Sequence, residues 1–177
     1  VLTAIPNVNI TIQPIVDEAE TIRCAQRAGL DVPEVLFASE DPNIVGGPFF
    51  ISTRMDGETV PRKVLRLVAA QGQGVAVAER LGQNFARLHA IDAAHRPKHI
   101  LWQESVGPAE FSLLALEEQI RQQLQPAPVF NLAMRWLEDH LPTKAPPICL
   151  IHADMRNGNL VVSDKGLVAI LDWEGSR

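Results

Sequence analysis

The chain has 177 residues and a formal net charge of −5, from 21 acidic and 16 basic side chains. That length can bury a real core, as domains of about 100–150 residues do, while the acidic balance argues against a nucleic-acid surface, which shows a basic patch or stripe. No run of about eighteen apolar residues is present to span a bilayer, the start lacks a charged-then-apolar signal pattern, and Cys24 and Cys149 read as small core residues of a cytoplasmic protein, not as a disulfide or metal pair.

Taken in chain order, Val16, Ala19, Ile22 and Ala25 recur at a helical period through the segment that begins at Asp17, and Gly29 is a natural stop. Val32–Leu36 predicts a strand, Glu40–Asn43 a turn, and Pro48–Ser52 a second strand running into Thr53-Arg54-Met55-Asp56-Gly57. Val77, Leu81, Phe85 and Leu88 form one face of a further helix ending near His89–Asp92, with His89 read as a hydrogen-bonded core histidine. Leu113, Leu116, Ile120 and Leu124 predict a second amphipathic helix, with Gln119–Gln125 as a solvated face. Ala133, Leu137 and Leu141 predict a third helix, ended by Pro142. Trp102 and Trp136 read as packing residues, and Pro126, Pro128, Pro142, Pro146 and Pro147 punctuate the connections.

The last segment carries the chemistry. The apolar run Ile148–Ile151 reads as a buried strand, ending where His152-Ala153-Asp154-Met155-Arg156-Asn157-Gly158-Asn159 begins. A loop at a strand end can hold side chains open to a ligand. Leu160–Val162, the turn Ser163–Gly166 and Leu167–Leu171 then predict a β-hairpin that returns Asp172 beside Asn159. A hydroxyl attacking a nucleotide γ-phosphate needs a carboxylate near its proton and an oxygen-donor set for magnesium. Asp154 suits the first task. Asn159 and Asp172 suit the second, since magnesium is usually held by one or two protein groups plus substrate phosphates.

At these residues the chain resembles the aminoglycoside phosphotransferase and choline kinase-like family, relatives of the protein kinases, with its signature H-G-D-x-x-x-x-N followed by an acidic triplet. Here Ala153 replaces the glycine, and Asp172-Trp173-Glu174 is the triplet. The resemblance implies an α+β, protein kinase-like two-lobe fold, with residues 1–57 as a partial small lobe and hinge and 58–177 as a partial large lobe. It implies Asp154 as catalytic base, Asn159 and Asp172 as magnesium ligands, and His152 as a loop organiser. Glu18, with Glu20 as its rival, is implied as the helix glutamate of a phosphate-anchoring pair. Backbone groups near Thr53 and Met55 are implied to read the nucleotide base.

The cofactors would be ATP, or GTP in its place, and Mg2+; the acceptor would be a small hydroxyl-bearing molecule, with no nucleic acid or membrane as partner. The lysine expected on the strand before the first helix is absent. Val1–Ile5 occupy that slot, Thr3 is the nearest candidate, no lysine occurs before Lys63, and no glycine-rich turn precedes Gly29. The chain is accordingly expected to be the middle of a larger kinase, with apolar surface bare at both ends. A pseudokinase or nucleotide-sensing module is one alternative reading. A metal-dependent hydrolase built from His152, Asp154, Asp172 and Glu174 is the other.

Overall fold

The computed structural model describes residues 1–4, 13–100, 106–122, 128–144 and 147–177. Ile5, Trp102, Leu124, Gln125, Pro126 and Pro146, named above, lie outside them. The chain divides into two compact units, residues 1–100 with 149–177, and residues 101–148.

In the first unit, β1 (Leu2–Ala4), α1 (Ile15–Arg27), β2 (Val35–Ser39), the short α2 (Pro42–Val45) and β3 (Phe49–Ser52) come first. The three strands form an antiparallel sheet in the order β1-β3-β2. Helix α1 has acidic Asp17 and Glu18 in its first turn and Arg27 in its last, charges that complement the helix dipole. It ends in a Schellman cap: Gly29 adopts φ 76°, its N–H reaches the Gln26 carbonyl at 2.9 Å, and the Leu30 N–H reaches Ala25 at 3.1 Å. Its buried face presents Ile15, Ala19, Ile22 and Ala25.

Two expectations shift here. The strand expected over 32–36 lies at 35–39, because residues 32–34 take their contacts from the core and the hinge and not from a ladder. Val32 packs in the core, and the Glu34 carbonyl accepts the Thr53 N–H at 2.9 Å. The turn expected at Glu40–Asn43 becomes the first turn of α2, capped by the Asp41 carboxylate on the Asn43 N–H at 2.9 Å.

After the hinge come α3 (Pro61–Ala70) and α4 (Gly74–His89). Helix α3, not among the elements expected above, turns Val64, Leu67 and Val68 at helical spacing onto the core, with Val64 fully buried. Its start is set by Pro61 in the first turn and by Glu58, whose carboxylate accepts the N–H groups of Thr59 and Val60 at 3.0 and 2.9 Å. In α4, Val77 and Leu88 are buried as the pattern predicts, but the third buried residue is Asn84. His89 is exposed and stacked on Phe85 at 5.9 Å, so the core-histidine reading is corrected: residue 89 falls one step past the buried position 88.

The hairpin of β4 (Leu160–Ser163) and β5 (Gly166–Ile170) forms as expected, with Leu160, Val161, Val162 and Ile170 buried. Ile148–Ile151 is not a strand. Ile151 exchanges both backbone bonds with Arg177 at 2.8 and 3.1 Å, and Ile148 is exposed. Cys24 and Cys149 are free, with Cys24 in the core cluster.

The hinge is pinned to the hairpin through Glu58 and Val162, which exchange N–H···O bonds of 2.8 and 3.0 Å. This approach needs Gly57. A Cβ there would lie 2.7 Å from Val161 Cγ1 and 2.9 Å from the Val162 carbonyl oxygen. Gly57→Ala is therefore expected to destabilise the protein by about 1–3 kcal/mol, the usual penalty of overpacking, and to raise the KM for nucleotide. Urea denaturation and nucleotide titration of the variant check both effects.

The second unit contains α5 (Pro108–Gln122) and α6 (Pro128–Asp139), covering the two helices predicted there. Met134 is the buried residue of α6, and α5 has none. Trp136 is exposed and stacks on His140 at 4.1 Å, so its packing is with one ring and not with a core.

Candidate functional site

His152 begins the loop and holds it. It is buried; its Nε2 lies 3.0 Å from the Leu171 carbonyl, and its Nδ1 receives the Asp154 N–H at 3.3 Å. These partners require Nε2 to carry the proton and Nδ1 to accept. Burial pushes the imidazole below its ordinary value, which keeps it neutral. Both ring nitrogens are occupied, so His152 organises the loop and is unsuited to ligate a metal. Its ring also packs on the fully buried Trp173, at 4.6 Å between centroids, and Trp173 Nε1 donates to the Ile170 carbonyl at 3.1 Å.

Asp154 follows Ala153, which adopts φ 66°. A left-handed alanine costs roughly 1 kcal/mol relative to a glycine, which is the physical reason the signature has glycine at this position. The Asp154 side chain is open to solvent, and its Oδ2 accepts Arg156 Nε at 3.1 Å and Asn159 Nδ2 at 3.0 Å. Arg156 first, then Asn159, hold its carboxyl below the usual range, so it is ionised at neutral pH.

Asn159 is buried at the end of a 3-10 turn, Asn157–Asn159. Its Nδ2 also donates to the Asp154 carbonyl at 2.8 Å, so the amide nitrogen faces the loop and the Oδ1 is turned away. The Asn159 carbonyl accepts the Leu171 N–H at 2.8 Å, which brings the end of β5 against the loop. Asp172 comes next, at φ 65°. It and Ala153 are the non-glycine residues with positive φ among those described. Strain of this kind persists where surrounding structure over-determines it. Arg156 Nη2 lies 3.8 Å from Asp172 Oδ2, so one guanidinium bridges Asp154 and Asp172. The placement of Arg156 between the two carboxylates is set by the fold.

A cleft of about 630 Å³ opens beside these groups, lined by Glu18, Thr53, Met55, Asp172 and Glu174 with apolar walls from Ile22, Phe50 and Val161. Its size lies within the usual range for small-molecule sites. Four of the six predicted site residues thus share one cleft. Asp154 and Asn159 lie outside its lining, joined to it through Arg156 and Leu171.

At the hinge, the Thr53 N–H is taken by the Glu34 carbonyl and its hydroxyl accepts the Glu34 N–H, both at 2.9 Å. The Thr53 carbonyl and the Met55 N–H make no hydrogen bond among the described residues. They are one acceptor and one donor, two residues apart, at the cleft wall.

The structure separates Glu18 from its rival. Glu20 faces solvent and pairs with Arg27 at 2.8 Å, whereas Glu18 lines the cleft and accepts the Trp173 N–H at 3.3 Å. Burial first, opposed by that N–H, and then the nearby Asp172 and Glu174 carboxylates raise the Glu18 carboxyl to about 7. A raised folded-state pKa binds the proton more tightly than the unfolded chain does. The associated stability is present below about 4.5 and is lost as pH rises through about 7. The difference is roughly 3 kcal/mol. Glu18→Gln is expected to flatten stability between these pH values and to exceed the parent protein above pH 8, as read by urea denaturation across pH.

The donors fit a magnesium ion. Asn159 Oδ1 and the Asp172 carboxylate are hard oxygens, the kind magnesium takes together with water and phosphate oxygens. Among the described residues no group of three or more His, Cys, Asp or Glu is arranged to hold a metal.

A three-stranded sheet with one helix, a hinge, a polar loop and a returning hairpin define a kinase-like phosphotransferase fold. A Ralstonia eutropha JMP134 protein provisionally described as an aminoglycoside phosphotransferase is superimposable with a TM-score of 0.63 at 19% identity, over 92% of this chain and 50% of that one. The GDP complex of an aminoglycoside 2′-phosphotransferase-IIIa variant gives 0.62 at 17% identity, over 90% and 56%. The GDP and kanamycin complex of APH(2″)-IIIa gives 0.59 at 13%, over 91% and 56%.

The chain belongs to the APH phosphotransferase enzyme family, whose model matches residues 8–177. It is 25% identical over 176 residues to acyl-CoA dehydrogenase family member 10 of Mus musculus, covering 89% of this chain and 15% of that protein. It is 24% identical over 160 residues to acyl-CoA dehydrogenase family member 11 of Gallus gallus, covering 83% and 19%. The chain therefore spans about half the length of the solved structures it matches and a small part of these curated relatives. No helix among the described residues is long and apolar enough to cross a membrane.

Proposed function

We propose that the protein transfers the γ-phosphoryl group of ATP, with GTP as the alternative donor, to a hydroxyl of a small molecule. The observation that carries this reading is the linkage of an ionised, solvent-open Asp154 through Asn159 and Arg156 to Asp172 at the wall of a nucleotide-sized cleft. In it residues 1–57 act as small lobe and hinge, and 58–177 belong to the large lobe. The nucleotide base lies against the hinge, accepting from the Met55 N–H and donating to the Thr53 carbonyl. Asp154 takes the hydroxyl proton as the acceptor oxygen bonds to the γ-phosphorus and the bond to the bridging oxygen breaks. Asn159 and Asp172 would hold magnesium, which when bound neutralises phosphate charge. The GDP bound by the structural neighbours supports a nucleotide in the cleft.

One observation favours a second reading, a nucleotide-sensing module: Thr3 lines the cleft at the strand position where the resemblance implies a cation, and Glu18 makes no ion pair among the described residues. A thermal-shift titration with ATP and GTP, with magnesium and with chelator, tests both, since selective binding to the native state raises its stability. A magnesium-dependent shift accompanied by ADP or GDP formation with a hydroxyl acceptor is expected for the kinase. The same shift without turnover across an acceptor panel would favour sensing, and no shift at millimolar nucleotide would overturn both.

A further inference from the structure

Asp172 is held in its strained conformation by bonds on either side. The Leu171 N–H donates to the Asn159 carbonyl at 2.8 Å, the Leu171 carbonyl lies 3.0 Å from His152 Nε2, and the Trp173 N–H reaches Glu18 at 3.3 Å. Behind Leu171, the Ile170 N–H donates to the Asp31 carbonyl at 2.8 Å, outside the hairpin. Asp31 precedes β2 and is itself fixed at every polar group. Its N–H donates to Asn84 Oδ1 at 2.7 Å, Arg80 grips both carboxylate oxygens at 2.6 Å, and Asn84 Nδ2 donates to Oδ2 at 2.8 Å.

Asn84 has 0% exposure in the middle of α4. A buried amide is costly unless bonded, and asparagine is a weak helix former. A polar residue on the apolar face of a helix breaks the local pattern, and such conflicts concentrate where function constrains the fold. Here the amide connects α4 to Asp31, the residue whose carbonyl holds the end of β5.

We propose that the Asp31–Arg80–Asn84 unit of α4 and the segment before β2 positions Asp172, and so sets magnesium affinity. This rests on the assignment of Asp172 as a metal ligand. Loosening Asp31 frees the Ile170 N–H, the bonds at Leu171 carry that displacement forward, and Asp172 relaxes out of the left-handed region, moving its carboxylate. These three are positioning residues, since none lines the cleft.

The test is a Mn2+ titration followed by electron paramagnetic resonance, on the intact protein with a non-hydrolysable ATP analogue bound. Asn84→Leu and Arg80→Met are expected to weaken Mn2+ binding about tenfold, the lower end for groups that orient metal ligands. They should also speed hydrogen exchange at the Ile170 amide, with nucleotide binding in chelator unchanged. Arg80, partly solvent-exposed, serves if the Asn84 variant fails to fold. Val77→Ala in the same helix controls for lost stability, and should leave Mn2+ affinity as it was. Unchanged Mn2+ affinity in the Arg80 variant, or an equal loss in the Val77 control, would overturn the positioning role. Unchanged affinity in Asp172→Asn would instead remove the ligand assignment beneath it, and the proposal with it.

Discussion

Asp154→Asn is expected to lower kcat by about 10²–10⁴, the span attributable to a positioned general base, while nucleotide affinity stays within a few-fold. The side chain lies outside the cleft that would hold the nucleotide, so its loss removes no contact there. Asparagine preserves size and an acceptor oxygen for Arg156 and Asn159, so the loop is expected to keep its shape. What disappears is the proton acceptor. The structure also constrains the pH profile: because Arg156 and Asn159 hold the Asp154 carboxyl below its ordinary value, activity depending on its ionised form is retained as pH falls through the usual carboxylate range. Arg156→Ala should move that acid limb upward. Steady-state kinetics across pH, with nucleotide binding measured independently, separates the effects. An equal loss of kcat and nucleotide affinity in the asparagine variant would remove Asp154 from the chemical step.

Asp172→Asn is expected to reduce magnesium-dependent turnover by roughly 10²–10³, since several kcal/mol of charge stabilisation depend on the metal and each 1.36 kcal/mol is tenfold in rate. Asparagine is the informative replacement. Asp172 sits at φ 65°, a region that asparagine adopts at less cost than alanine. Alanine would confuse loss of the carboxylate with backbone strain. The magnesium concentration for half-maximal activity should rise sharply, and thermal stability without ligand should change little. Near-normal turnover at low magnesium would exclude Asp172 as a ligand. Removing this carboxylate also takes one like charge from beside Glu18, so the Glu18 carboxyl is expected to move down toward its ordinary value.

The sequence by itself determined the elements that carry a period or a signature. Helix α1 and its glycine stop, the β4–β5 hairpin, the buried face of α4 and the run from His152 to Asp172 were all legible, because spacing alone prescribes a helix face, a two-strand return and a loop between. It also indicated that the hairpin returns to its start, where the Leu171 N–H meets the Asn159 carbonyl. Helix α3 was missed because its apolar stripe, Val64, Leu67 and Val68, is barely one turn long, too short to stand out as a period. Ile148–Ile151 misled because an apolar run becomes a strand only where a partner edge runs along it, and the ladder bonds formed here are those of Ile151 with Arg177.

Tertiary structure decided the rest. It put Glu18 in the cleft wall and Glu20 beside Arg27, a placement that depends on which face of α1 meets Trp173. It set Arg156 between two carboxylates, made Gly57 indispensable through contact with Val161 and Val162, and joined Asn84 to Asp31 across 53 positions of sequence. Each of these depends on a meeting of segments distant along the chain. Local preference carries no record of such a meeting, which exists only once the elements have packed.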